Sequence, residues 1–421
     1  MRNPAFTLGR AAALALSATP ALAQDQKPPP LTDAQWQEKF DALVSQYKED
    51  IDDLRFQVDT LEKDSQATRA KLQAPQAQSA GVFNPAITVF GNFLARHDDQ
   101  HVFVDDDPAN GRVDSRSMLR EAEVDFRAAI DPWADGVMIF SFAQDVPGEF
   151  SAEVEEGYVT LKKLPLLDSA PLGLKLEAGR FRPEFGRFNF THLHDLPQPS
   201  YPRAMTVFLG PEGLISDGVS GRFFLPSPSD KQTIEATVAL LNGDDIPIAP
   251  NEEGSDVALL EHVKWFDELT NQQSLEIGGS SWISNRDHQL YGLDATYKWK
   301  PFIAGESRSF LASAEVYAAN LDDPALSEHP FGWYLWSQYQ FTQNLYLGAR
   351  FDQAQEITDD DQVTNTLGVY LTYYTTEFLR FRIGVEHAES DVDALDGRNT
   401  ALLELNFIFG SHPVEPYWVN K

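Results

Sequence analysis

From about Ala86 to Phe409 the chain runs as short segments in which apolar and polar residues alternate with period two, many ending on aromatics. In one, Ala122, Val124, Phe126, Ala128 and Ile130 fall on one face and Glu121, Glu123, Asp125 and Arg127 on the other. Leu345, Leu347, Ala349 and Phe351 against Arg350 and Asp352 repeat the theme, as do Leu379, Phe381, Ile383 and Val385 against Arg380, Arg382 and Glu386. A strand with this dyad can offer one side to hydrocarbon and the other to water, and only a closed sheet leaves no unpaired backbone edge in lipid. The pattern predicts an all-β transmembrane fold, a 16-stranded antiparallel outer-membrane β-barrel over 86–410. Its strands are expected to begin near Ala86, Met118, Val137, Val154, Leu172, Ser216, Lys231, Asp256, Gln273, Gln289, Arg308, Gly332, Asn344, Thr364, Phe378 and Thr400. Charged rows must then line the lumen, because hydrocarbon makes them costly.

The connections give a second test, since such barrels have short periplasmic turns and longer outer loops. Residues 131–136, 342–343 and 375–377 read as tight turns after even-numbered strands. Residues 97–117, 244–255 and 322–330 read as long polar loops after odd-numbered ones. A soluble sandwich has no reason for this asymmetry. The longest connection, 183–215, falls between strands five and six.

Ahead of the barrel, residues 1–23 carry Arg2 and Arg10, an apolar stretch from Ala11 to Leu16 and then Ala21-Leu22-Ala23, the order of a cleavable secretory signal. A Pro-rich lead-in spans 24–35. Over 36–72 the spacing of Phe40, Val44, Tyr47, Ile51, Leu54, Val58 and Leu61 predicts an α-helical coiled coil in the periplasm, with a single amphipathic helix docked on the barrel as the alternative. Residues 73–85 form a polar linker and 411–421 a tail beyond the last strand.

Composition narrows the function. The 421 residues include no cysteine, which removes disulfides and thiolate metal sites, and a net charge of -31 repels nucleic acid. The sequence holds neither a P-loop nor a dinucleotide fingerprint, so no cofactor is implied and an enzyme is not expected. Acidic runs at Asp105-Asp106-Asp107 and Asp359-Asp360-Asp361 are expected in outer loops, either solvated or binding divalent cations that bridge to lipopolysaccharide.

Four further motifs stand out: Gly179-Arg180-Phe181-Arg182-Pro183-Glu184-Phe185-Gly186-Arg187, His192-Leu193-His194-Asp195, Gly210-Pro211-Glu212-Gly213-Leu214 and the ending Phe407-Ile408-Phe409-Gly410-Ser411-His412-Pro413. With the leading coiled coil, they make the chain resemble the phosphate-selective porin O and P family. The resemblance implies sixteen-stranded, usually trimeric porins whose third loop folds inward; phosphate selectivity belongs to some members only. The chain departs from a phosphate-selective pattern in having no lysine cluster or long arginine ladder.

The third loop, 183–215, is the expected constriction and charge filter, with Glu184, Arg187, His192, His194, Asp195, Arg203 and Glu212; an outer lid is the alternative. Arg180 and Arg182 either join that filter, if a bulge at Gly179 reverses the phase, or sit on the lipid-facing row and bind lipid phosphates at the rim. Arg127, Lys162, Lys175, Arg222, Arg350, Arg380 and Arg382 read as lumen wall, facing carboxylates that include Glu121, Glu123, Asp125, Glu156, Glu177 and Glu404. They predict either opposed charged faces or ion-paired filling. His192, His194 and Asp195 form a candidate metal set, weighed against hydrogen-bonded structural histidines. The expected function is passive diffusion of small hydrophilic solutes or ions across the outer membrane, by a homotrimer in contact with lipid and lipopolysaccharide. The competing readings are a barrel-embedded lipid hydrolase using His387 near Ser390, and an envelope tether using the coiled coil.

Overall fold

A computed structural model describes Gln37, Asp41 and residues 85–419 apart from 104–111, 113, 147–148, 165–169, 250–255, 285–287, 302–306, 393–394 and 412–417. The expected signal segment, heptad helix and linker, and the acidic run Asp105-Asp106-Asp107, lie outside the described residues.

Period-two alternation resolves into sixteen strands among the described residues. They are β1 (Ala86–Asp98), β2 (Ser117–Asp131), β3 (Ala134–Val146), β4 (Glu149–Leu161), β5 (Lys175–Phe181), β6 (Ser216–Leu225), β7 (Gln232–Asn242) and β8 (Val257–Thr270). There follow β9 (Gln273–Ser284), β10 (His288–Trp299), β11 (Ser309–Leu321), β12 (Phe331–Gln340), β13 (Leu345–Glu356), β14 (Asp359–Thr376), β15 (Leu379–Ser390) and β16 (Arg398–Gly410). Each pairs antiparallel with its neighbours in sequence, and β1 closes the barrel on β16 in a register running from Thr88↔Gly410 to Asp98↔Thr400.

One row of every strand points outward and is apolar. Leu240, Leu293, Leu367, Val385 and Leu403 are among many large side chains left exposed, Leu293 and Val385 at 59%. A soluble protein rarely exposes an apolar patch beyond a few hundred Å², whereas here the apolar row runs round the barrel, as a hydrocarbon solvent requires. The opposite row is polar and mostly buried, including Asn92, Glu123, Ser141, Asp294, Arg350, Arg382 and Glu404.

Two mid-strand bulges break the alternation, and further register shifts lie at strand ends beside the connections. The register of β1 with β2 shifts at Arg120, and that of β3 with β4 shifts at Glu155. Each bulge turns two successive residues inward, Arg120 with Glu121 and Glu155 with Glu156, as an inserted residue re-aims its neighbours. Two expectations need correction. Asp359-Asp360-Asp361 opens β14 rather than an outer loop, because β13 and β14 are joined only by residues 357–358. The loop asymmetry is also uneven, since β3 and β4 are joined by residues 147–148 alone.

The connection 182–215 lies inside the barrel. It reaches side chains on β1, β2, β4, β6, β9, β11, β13, β15 and β16, on β1 through the stack of His194 on Phe90, which only an element enclosed by the wall can do. An outer lid is therefore excluded for it.

Candidate functional site

The loop leaves β5 at Phe181 and is bound first at its own base. Asn189 donates to the carbonyls of Pro183 (2.8 Å) and Leu214 (2.9 Å) and accepts from the Leu214 amide, tying the loop's two ends together. Gly186 then brings the backbone against the wall, its amide 2.9 Å from Ser280 Oγ. Its φ is +62°, and a Cβ there would run into the Glu315 carboxylate, so both conformation and space demand glycine.

On both sides of Gly186 the loop presents aromatics to β11 and β12. Phe185 stacks on Tyr317 with ring centroids 6.1 Å apart, and Phe188 stacks on Tyr334 (5.5 Å) and Trp336 (5.4 Å). A short helix, Arg203–Leu209, starts after Pro202 and stops at Gly210, whose φ of 108° suits only glycine. It buries Ala204, Met205, Phe208 and Leu209, with Phe208 stacked on Tyr317 at 5.7 Å. Trp418, in the tail, reaches the same cluster edge-on to Phe188 and Trp336, and Gln338 donates to its carbonyl at 3.0 Å. This half of the lumen is packed like the core of a soluble domain.

The other half is held by charge. Arg120 donates to the Pro199 carbonyl (2.6 Å), Arg350 to Ser200 (2.6 Å), Arg380 to His194 (2.8 Å) and Arg382 to Leu196 (2.7 Å), with Asn406 adding a second bond to His194 (3.0 Å). Glu404 faces Arg382 and Arg380 and accepts from Asn92. A fan of wall arginines thus gathers the loop's carbonyls, which have no secondary-structure partner of their own.

The residues singled out in sequence separate accordingly. Arg182 turns inward past the end of β5 and pairs with Glu155, while donating to the Glu212 carbonyl. Glu184 binds Arg222 at 3.1 Å, Arg187 binds Glu276 at 3.0 Å and Arg203 binds Glu356 at 2.7 Å. Arg180 stays apart from the loop. β5 pairs with β6 without a bulge, so Arg180 keeps to the outward row opposite Asp217 at the rim, 3.5 Å away. Arg350, Arg380 and Arg382 are buried beneath the loop, whereas Arg127, Lys162, Lys175 and Arg222 line an open cavity of about 450 Å³ with Asp135 and Glu177.

His192 and His194 come together, rings 5.5 Å apart, but on Glu123, Glu155 and Glu156 rather than around Asp195. The Asp195 carboxylate is 3.6 Å from His194 Nε2, on the far side of the ring from Glu123, which lies 3.3 Å from Nδ1. Burial opposes a charge on either imidazole. The Glu123 and Glu155 carboxylates overcome it at His192 and hold its pKa well above 6.5, and Glu123 with Asp195 lifts His194 to about 9. Burial, reinforced by Glu155, raises the Glu212 carboxyl to about 7.

Arg120, Glu155, Asn189, Asn406 and Trp418 carry no local pattern that marks them as loop anchors. Nor does the hydrolase pairing survive. His387 faces outward beside Asn399 (2.9 Å), while Ser390 sits on the inward row with Thr364 (2.6 Å).

No family model matches the chain. An uncharacterised protein of Aquifex aeolicus (strain VF5) is 24% identical over 344 residues, covering 71% of this chain and 70% of its own. Among solved structures, the outer membrane channel DcaP of Acinetobacter baumannii superposes with a TM-score of 0.50 at 11% identity, over 77% of this chain and 96% of that one. Pseudomonas putida OprB does so with a TM-score of 0.50 at 10% identity, over 77% of this chain and 94% of its own. At these identities the likeness is one of fold: the chain has the closed sixteen-stranded barrel fold that it shares with DcaP and OprB.

Proposed function

We propose that the chain is an outer-membrane porin through which small hydrophilic solutes or ions diffuse passively. The observation that carries this reading is a closed barrel with a hydrocarbon-facing exterior, a polar interior and a 182–215 loop folded across that interior. The loop serves as the constriction, and solutes pass between it and the wall. Most of its charges are consumed in ion pairs that hold it in place. The charge filter is assigned to the cavity beside the loop, where Arg127, Lys162 and Arg222 stay exposed while paired with Asp125, Asp135 and Glu184, next to Lys175 and Glu177. The resemblance to phosphate-selective porins and the channel named among the structural neighbours support the same reading. Neither the hydrolase nor the tether has an observation of comparable weight.

Planar-bilayer recording under a salt gradient tests the proposal. Stepwise ohmic conductance is expected, and repeating the gradient with phosphate and with divalent cations reads out the class of solute. Lys175→Glu is expected to move the reversal potential towards cations with folding changed by no more than about 0.5 kcal/mol. A folded, membrane-inserted protein that carries no current sinks the reading.

A further inference from the structure

We propose that Glu123, His192 and His194 form a binding site for a divalent transition-metal cation of the zinc type, which would fasten the lumen loop to the wall.

Two facts about the imidazoles carry this. His192 turns its Nε2 to Glu156 in a hydrogen bond of 2.9 Å, and His194 has its Nε2 directed to the Asp195 carboxylate, 3.6 Å away and in electrostatic contact rather than hydrogen-bonded. A proton held on Nε2 leaves a lone pair on Nδ1, the arrangement in which a carboxylate orients a metal-ligating histidine. Both Nδ1 atoms then face Glu123 Oε2, at 3.2 Å from His192 and 3.3 Å from His194, and that of His192 also lies 3.1 Å from Glu155 Oε1.

These separations lack the alignment of hydrogen bonds. His192 Nδ1, His194 Nδ1 and Glu123 Oε2 are all buried without a hydrogen-bond partner among the described residues, and the Glu123 and His194 side chains are 1% and 2% exposed. Three such atoms would be costly to leave unsatisfied. Ligand atoms about 2.0–2.1 Å from a tetrahedral zinc stand roughly 3.3 Å apart, which is the spacing of each Nδ1 from Glu123 Oε2, and all three atoms lie within 4.8 Å of one another. Two histidines with one glutamate match a known zinc ligand set that keeps a fourth position open. Glu121 and Glu155 lie close enough to Glu123 to fill it.

Charge balance points the same way. Glu121, Glu123, Glu155 and Glu156 cluster in the interior, with Arg182 the cation in contact with Glu155 and Glu156. A buried excess of negative charge needs cations, supplied either by protonating both imidazoles or by one dication.

The proposal is independent of conduction, so a silent pore would leave it standing and an empty site would leave the pore standing. The full-length protein in detergent, stripped with chelator, would be titrated with zinc by calorimetry. One equivalent per chain is expected. His192→Ala with His194→Ala should abolish it, Glu156→Gln should weaken it about 10–100-fold, and His387→Ala on the outer wall should leave it unchanged. No uptake by the stripped wild-type protein, or uptake unchanged in the folded double variant, overturns the site. Should the double variant misfold, X-ray absorption of the zinc-loaded wild type decides: two imidazoles in the shell are expected, and an all-oxygen shell overturns it.

Discussion

The two halves of the lumen hold the same loop by different physics. Along β11 and β12 the contact is aromatic and dry, Phe185, Phe188 and Phe208 lying against Tyr317, Tyr334 and Trp336. Along β13, β15 and β16 it is a set of guanidinium-to-carbonyl bonds from Arg350, Arg380 and Arg382, backed by Glu404. Apolar packing is insensitive to small displacements but loses much when volume is removed. Charged hydrogen bonds fix position and register, and removing one partner strands the other. One half supplies adhesion and the other alignment.

Emptying the dry half is the hardest blow. Phe188→Ala is expected to weaken loop docking by about 3–5 kcal/mol, and single-channel conductance should rise as the loop leaves the wall. An unchanged conductance with intact protease resistance of the loop would mean the aromatic face is not what holds it. On the charged side, Arg382→Ala leaves Glu404 to Arg380, Arg120 and Asn92 and should cost about 3 kcal/mol. Adding Glu404→Gln should recover none of that, since Arg380 and Arg120 then lose the carboxylate they share. A double variant as stable as the wild type would remove the charge-pairing account.

Trp418→Ala is gentler, because the tail contributes one ring to the cluster. Docking of the tail should weaken by about 3 kcal/mol as the buried indole is removed, and conductance noise should increase as the tail detaches. The smallest effect concerns Glu212. Its carboxyl is raised from 4.5 to about 7, so the folded protein binds this proton more tightly than the unfolded chain does. Stability from this group is therefore greatest below pH 4.5 and declines as pH rises to about 7, and Glu212→Gln should flatten that slope. A wild-type denaturation midpoint with the same slope as the variant between pH 5 and 8 would contradict it.

The wall was far more legible in the sequence than the lumen. Alternation is a local property, and it predicts the closed barrel and the start of most strands because each dyad must satisfy lipid and water at once. It fails where a bulge intervenes: Arg120 and Glu155 each sit one residue out of phase, and no nearby residue marks the shift. It also placed β14 five residues late, since Asp359-Asp360-Asp361 has the composition of a loop. The path of the loop depends on contacts separated by more than a hundred residues, such as Arg380 with His194, for which a single sequence carries no local signal. Alternation assigns Arg350, Arg380 and Arg382 to the inward row, yet it cannot say that backbone carbonyls rather than solutes would meet them.

The position of Trp418 implies a chronology. There is no enclosed space for an indole until β16 has zipped onto β1, and only one of its two aromatic partners, Trp336, is in place until Phe188 has settled beside it. The tail must come home after both events, making it the last segment to arrive. Its indole emission therefore offers a clock for the finished molecule, reporting the moment when the cylinder has sealed and its contents are in place.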